Sequence, residues 1–125
     1  MAGTLKPKKR KAWKFGRFAE AFSAWGLRLK GYRILARGFR APVGEIDIIA
    51  RRGRVLVFVE VKARHDLKAA AESIGRRQTA RIVRAAGAYL QSRPGLSALD
   101  QRFDVMLVRP WRWPVHLADA WRPEG

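Results

Sequence analysis

The sequence predicts an α/β domain, and three observations support it. Two stretches carry apolar residues at three- and four-residue intervals, the period of an amphipathic helix. Four runs of β-favouring residues, with a short fifth near the C-terminus, lie between and after them. One of these runs, VLVFVEVKA, is apolar on both faces, as expected of an interior strand covered on both sides. At 125 residues and 48% apolar content, the chain suits one domain with one modest core.

Residues 1 to 14, MAGTLKPKKRKAWK, contain six Lys or Arg and no acid, with Pro7 in the middle. They are expected to form a disordered basic arm, able to lie along phosphates or simply to be solvated, ahead of a single domain at residues 15–125. A secretory signal is not expected, because Lys14, Arg17 and Glu20 interrupt any apolar h-region. No run approaches the roughly 18 apolar residues of a membrane span. The expectation is a soluble, cytoplasmic protein with no membrane partner.

From Phe15 to Lys30, the residues Phe15, Phe18, Phe22, Trp25 and Leu29 form one helical stripe, ended by Gly31. Glu20 falls on the opposite azimuth, close to Ala24 and Leu27; by pattern alone it reads as a solvated surface residue. Strands are predicted over 32–40, 43–50 and 54–63, the last two joined by a tight turn at Arg51, Arg52 and Gly53. With an even loop such as Arg52–Gly53, Glu45, Asp47, Phe58, Glu60 and Lys62 share one face of this hairpin. Ile46, Ile48, Val57, Val59 and Val61 then fill the other.

A long helix is predicted over 68–92, with Ile74, Ile82, Ala85, Ala86 and Tyr89 on one azimuth and Gln78 inside that stripe. A core-facing glutamine needs hydrogen-bond partners, from backbone or from a polar cleft. Arg76, Arg77, Arg81 and Arg84 flank the helix, where they can meet phosphates or water. A fourth strand spans 102–110, and a short edge strand lies near 115–117 after Pro114. Trp111, Trp113 and Trp121 are expected to cap the core rather than stack bases, since no regular aromatic pattern lies on one strand face.

Twenty-seven Lys and Arg against ten acids give a formal charge of +17, which suits a partner of dense negative charge, nucleic acid above all. With no cysteine, a thiolate zinc site or disulfide is excluded; His65 and His116 read as structural or surface residues. Against this basic background, three of the ten acids, Glu45, Asp47 and Glu60, fall within GEIDIIARRGRVLVFVEVK. An Asp followed across a hairpin by Glu-x-Lys brings two hard oxygen donors and an ammonium near a common point. Such carboxylates suit Mg²⁺ or Mn²⁺ with water and a phosphate oxygen, the logic of a phosphodiesterase. A plain cross-strand ion pair between Glu60 and Lys62 is the structural alternative.

GEIDIIA followed by FVEVKAR, with GRFAEAFSAWGLRLKGYRIL before and RFDVMLV after, resembles the YraN family of small bacterial proteins, from about Gly16 to Trp121. That family is similar to the Holliday-junction-resolvase-like branch of the PD-(D/E)XK nucleases. The resemblance implies a restriction-endonuclease-like three-layer core, a mixed sheet flanked by helices. It further implies a metal-dependent endonuclease acting on DNA, branched or otherwise structured. Asp47 and Glu60 would be metal ligands, with Glu20 completing the site and the Val61 carbonyl as a further ligand. Lys62 would be the catalytic lysine. Many members have a lysine on the second long helix where this chain has Gln78, which is retained as a site residue.

Two other functions fit the same residues. One is a noncatalytic nucleic-acid-binding accessory protein of the same fold, and the other a small protein bound to ribosomal RNA or an acidic partner. Resolvase-like enzymes act on two symmetric strands, so a homodimer is also an expectation, although the sequence identifies no dimer face.

Overall fold

The structure, a computed structural model, describes residues 7–66, 68–69 and 74–123, with side chains from Gly16 onward. Its order is α1 (Pro7–Leu29), β1 (Arg33–Ala41), β2 (Gly44–Arg52), β3 (Val55–Ala63), α2 (Arg76–Ser92), a 3₁₀ turn (Pro94–Leu96), β4 (Asp100–Val108) and β5 (Val115–Trp121). The five strands lie in sequence order in one sheet. All neighbours are antiparallel except β3 and β4, which pair in parallel across the α2 crossover. The α/β class and the mixed sheet flanked by helices are therefore as expected, consistent with a restriction-endonuclease-like core.

Helix α1 begins at Pro7 rather than Phe15, so the second half of the expected arm is helical; residues 1–6 lie outside the described residues. Proline is pre-organised for a first helical turn, and the Lys, Arg and Ala that follow are good helix formers. The helix ends in a Schellman arrangement: Tyr32 N–H donates to the Leu27 carbonyl and Gly31 N–H to that of Arg28, each at 3.0 Å. Gly31 takes the required left-handed φ of 91°, and Tyr32 then packs with Leu27.

The rotation of α1 is a correction to the expected stripe. Its buried face is the small one, Ala19, Ser23, Ala24 and Leu27, whereas Phe18, Trp25 and Leu29 are exposed. Small side chains let the helix lie close to the sheet, where a β-carbon on Gly26 would stand 3.5 Å from Met106.

The helix expected over 68–92 is interrupted: residues 68–69 are helical, Ile74 and Gly75 are not, and α2 starts at Arg76 behind Gly75 in an extended conformation (φ −95°, ψ 167°). Ile74 therefore precedes the helix, and residues 70–73 lie outside the described residues. Ile82, Ala85, Ala86 and Tyr89 face the sheet as the period required. They pack with Ile46, Ile49, Leu56, Phe58 and Phe103, while α1 packs with Ile48, Ala50, Val57, Val59 and Met106 on the other face. Strand β3, with Leu56 to Val59 all buried, is the centre of three layers.

The β2–β3 turn is Gly53–Arg54, one residue later than expected but still two residues long, as shown by the pairing of Arg52 with Val55. The facing parity is therefore unchanged, and Gly53 supplies the positive φ of 60°. Ile46 is the exception to the expected faces. It joins Ile49 under α2 instead of Ile48 under α1, so alternation along β2 breaks between 46 and 48, at Asp47. No helix among the described residues is long and apolar enough to cross a membrane.

Candidate functional site

The hairpin ladder runs from Arg52–Val55 to Ile48–Val59 and stops there. The next pair in that register would be Asp47 with Glu60, and the strands part at this point. The Asp47 side chain bridges the gap, its Oδ2 accepting the Val61 N–H at 2.8 Å. A carboxylate has replaced a main-chain carbonyl in the ladder, satisfying a backbone donor and leaving its other oxygen at the rim.

On the α2 side, Gln78 joins the two charged residues of Glu-x-Lys. Its Nε2 donates to Glu60 Oε1 at 2.7 Å, its Oε1 accepts from Lys62 Nζ at 3.0 Å, and Lys62 Nζ lies 3.5 Å from the same Glu60 oxygen. The Lys62 and Glu60 side chains are only 9% and 11% exposed. The expected Glu60–Lys62 ion pair is present, as one side of a triangle closed by the glutamine. Gly44 makes this approach possible: a β-carbon there would come within 2.6 Å of the Arg81 carbonyl oxygen, so only glycine lets β2 meet α2 this closely.

Burial and mutual repulsion dominate the electrostatics. Glu60 is pushed up to about 7, first by desolvation and then by Asp47, with Lys62 pulling the other way. Desolvation also raises Asp47; the Val61 N–H offsets part of this, and Glu20 and Glu45 add to it. Folding has thus placed two carboxylates where neither ionises comfortably beside the other.

Two concavities meet at Asp47. A small cavity of about 90 Å³ is bounded by Glu45, Asp47, Glu60, Gln78, Arg81 and Ile82. A groove of about 650 Å³ runs past Asp47, Val61 and Glu20 between Arg17, Arg37, Arg40 and Arg64. Glu20 therefore does not lie on an open surface, as its pattern alone suggested; it faces the groove, with Arg37 Nε at 3.3 Å. Among the described residues, no three His, Cys, Asp or Glu groups are close enough to hold a metal ion by themselves. Asp47 and Glu60 are the two hard donors, and water and phosphate oxygens would complete the shell, the usual way Mg²⁺ is held. The pattern on β1 gave no sign that Arg37 and Arg40 border a site; the bulge between Ile34 and Ala36 helps to set their direction.

The family model described as "Uncharacterised protein family UPF0102" matches residues 19–108, a span from Ala19 on α1 to the end of β4. The chain belongs to the UPF0102 family. This is the YraN family that its motifs resembled. It is 54% identical to a UPF0102 protein of Parvibaculum lavamentivorans, over 90% of this chain and 84% of that one. A UPF0102 protein of Mesorhizobium japonicum is 48% identical over 96% of both chains, and one of Paramagnetospirillum magneticum 50% over 86% of both. The UPF0102 match covers Glu20, Asp47, Glu60, Lys62 and Gln78 together.

A second polar cluster, which sequence patterning did not reveal, lies on the α1 side. Asp104, fully buried on β4, accepts two hydrogen bonds from Arg102 at 2.8 Å each. It also accepts the Asp119 N–H at 3.0 Å and contacts His116 Nε2 at 2.6 Å. These donors hold its carboxyl down at about 2 despite burial. Lys30 Nζ lies 2.6 Å from His116 Nδ1, and since an ammonium only donates, Nδ1 accepts and Nε2 carries the proton toward Asp104. His116 is thus structural, as expected, tying α1 and β5 to the sheet, and exposed His65 takes no part.

Proposed function

We propose that this UPF0102 protein is a metal-dependent endonuclease that hydrolyses phosphodiester bonds of DNA, with branched or otherwise structured DNA as its substrate class. The observation that supports this most is the proximity of Asp47 to the Glu60–Lys62 pair, where a small polar cavity and an arginine-lined groove meet at Asp47. Binding alone gains nothing from carboxylates aimed at phosphates, and their raised affinity for protons means that the fold holds repulsion which a cation relieves.

Asp47 and Glu60 would hold Mg²⁺ or Mn²⁺, with the Val61 carbonyl as a further donor; Glu20, expected as another, is instead paired with Arg37 across the groove. When bound, the ion supplies a more acidic water and neutralises charge on the phosphate. Asp47 is fixed by the Val61 N–H. Lys62, oriented by Gln78 and Glu60, retains donor capacity to orient the attacking water or to stabilise the negative charge that develops on phosphate oxygens. Arg17, Arg40 and Arg64 along the groove position the backbone without reading sequence. Gln78 is a positioning residue in this reading, since it touches both members of Glu-x-Lys.

The test is cleavage of labelled four-way junctions, flaps, single strands and linear duplex with Mg²⁺, with Mn²⁺ and with chelator, binding being followed in parallel. Metal-dependent cutting that Asp47→Ala and Lys62→Ala abolish while binding persists is the expected result. Tight, salt-dependent binding without cutting of any substrate would instead assign a noncatalytic accessory role.

A further inference from the structure

The outward stripe of α1 continues into the β4–β5 loop. The Phe18 and Phe22 rings lie tilted with centroids 5.6 Å apart, and Phe22 meets Trp113 edge-on at 5.3 Å. Beside them Trp111 is completely exposed, at 102%, with Trp113 at 60% and Phe18 at 59%. This corrects the expectation that the tryptophans cap the core: only Trp121 does so, stacked 4.3 Å from Phe103. A shallow depression of about 590 Å³ lies among Phe18, Phe22, Arg109, Pro110, Trp111, Arg112 and Trp113. Contiguous exposed apolar surface of this kind marks an interaction site. Trp111 has a left-handed φ of 59°, disfavoured for a bulky residue, so the loop presents the indole outward at a conformational cost.

Charge and position select the occupant. The aromatics are interleaved with Arg109 and Arg112, which line the same depression. A second copy of a chain with charge +17 brings like charge to this patch, whereas nucleic acid brings phosphates to the arginines and bases to the rings. The patch also lies at the cleft's end of the sheet. Ala63 pairs with Val108, and Arg64 N–H donates to the Val108 carbonyl at 3.2 Å. The loop therefore leaves β4 next to the point where β3 has just delivered Lys62.

We propose that this patch is a stacking platform for unpaired nucleotides of a structured nucleic acid, with Trp111 as the exposed ring and Arg109 and Arg112 as the phosphate contacts. It rests on the nucleic-acid reading of the cleft and narrows the substrate to strands with unpaired bases beside the site. Aromatic stacking tolerates any base, so the selectivity is for open structure rather than for sequence.

The experiment is equilibrium binding in chelator of a splayed fork and a blunt duplex of equal length, with wild type, Trp111→Ala and Trp111→Phe. Trp111 is fully exposed, so both variants should fold. Trp111→Ala is expected to weaken fork binding roughly 5- to 150-fold, the range for loss of one stacked base, with little change for duplex. Trp111→Phe should recover most of the loss. Equal effects on fork and duplex, or none, overturn the proposal. So does dissociation of a dimer by Trp111→Ala in sedimentation, or Trp111-dependent binding to phosphatidylglycerol vesicles in place of forks. Fork binding through Trp111 without metal-dependent cleavage ends the nuclease reading and leaves the platform intact. Cleavage that needs Lys62 but ignores Trp111 does the reverse.

Discussion

Glu60 makes the cleft destabilising in a pH-dependent way that can be measured without a substrate. Its carboxyl lies at about 7 in the folded chain against an ordinary 4.5, so the folded state holds the proton more tightly than the unfolded one. Below about pH 4.5 both states are protonated and Glu60 carries no electrostatic cost. As pH rises from there to about 7 the unfolded chain ionises first, and stability falls. The ceiling on that fall is about 3 kcal/mol, since each unit of pKa difference corresponds to about 1.4 kcal/mol. In Glu60→Gln the fall is absent. Urea unfolding of both proteins at about pH 4 and about pH 8 should therefore show wild type losing up to about 3 kcal/mol more than the variant across the interval. Titrations of groups that do not interact with Glu60 cancel in this double difference, whereas Asp47, which repels Glu60, contributes to it.

The same origin predicts a metal effect. Mg²⁺ or Mn²⁺ must displace the Glu60 proton, so metal stabilisation should be weak at about pH 5 and grow as pH rises through about 7. At a hundred times the dissociation constant it should reach about 2.7 kcal/mol. It should vanish in Glu60→Gln and Asp47→Asn. Parallel pH profiles for wild type and Glu60→Gln would refute the electrostatic reasoning, and a metal shift that survives in both variants would move the ion elsewhere.

Asp104 provides the opposite sign. Its carboxyl is held at about 2 against 3.8, so about 2 kcal/mol of stability is present above pH 4 and lost as pH falls from about 4 toward 2. Asp104→Asn should remove that dependence and cost about 2 to 3 kcal/mol, because Arg102 and His116 lose their shared anion. Asp47→Ala should be less stable than Asp47→Asn by about 1 kcal/mol in urea, the charge being absent from both, since only asparagine keeps an acceptor for the half-buried Val61 N–H. Gly44→Ala drives a β-carbon against the Arg81 carbonyl and should lower stability by about 1 to 3 kcal/mol, seen as a drop in Tm.

Local period and turn chemistry made much of this fold readable before the structure. The even hairpin loop fixed which side Phe58, Glu60 and Lys62 share, and the stripe holding Gln78 placed an amide against them. What failed were the places where a side chain substitutes for backbone. Alternation predicted Ile46 beside Ile48, but Asp47 takes the position of a ladder carbonyl, the strands part, and the pleat reverses there. Gly75 failed for a different reason: its extended backbone interrupts a helical stretch whose apolar period runs through Ile74, with residues 68–69 helical on the far side. Asp104 reads in sequence as the polar half of an alternating strand, and nothing local indicates that Arg102, Asp119 and His116 would converge on it from three positions.

The inverted α1 has a different cause. Periodicity weighs hydrophobicity and ignores volume, and this helix has two apolar sides of unequal size. A helix that must bring Glu20 to the rim of the Asp47 groove has to lie close to the sheet, and only the face with Ala19, Ser23, Ala24 and Leu27 is thin enough. Placing Phe18, Phe22 and Trp25 inward would hold α1 off by the width of an aromatic ring and turn Glu20 away from the groove. The large rings are thus exposed by the same requirement that builds the cleft. Two of them, Phe18 and Phe22, line one depression with Trp111 and Trp113. An aromatic surface beside a carboxylate cleft is therefore a geometric consequence of how α1 is seated, and substitutions that enlarge its small face, Ala24→Leu for example, should disturb both together.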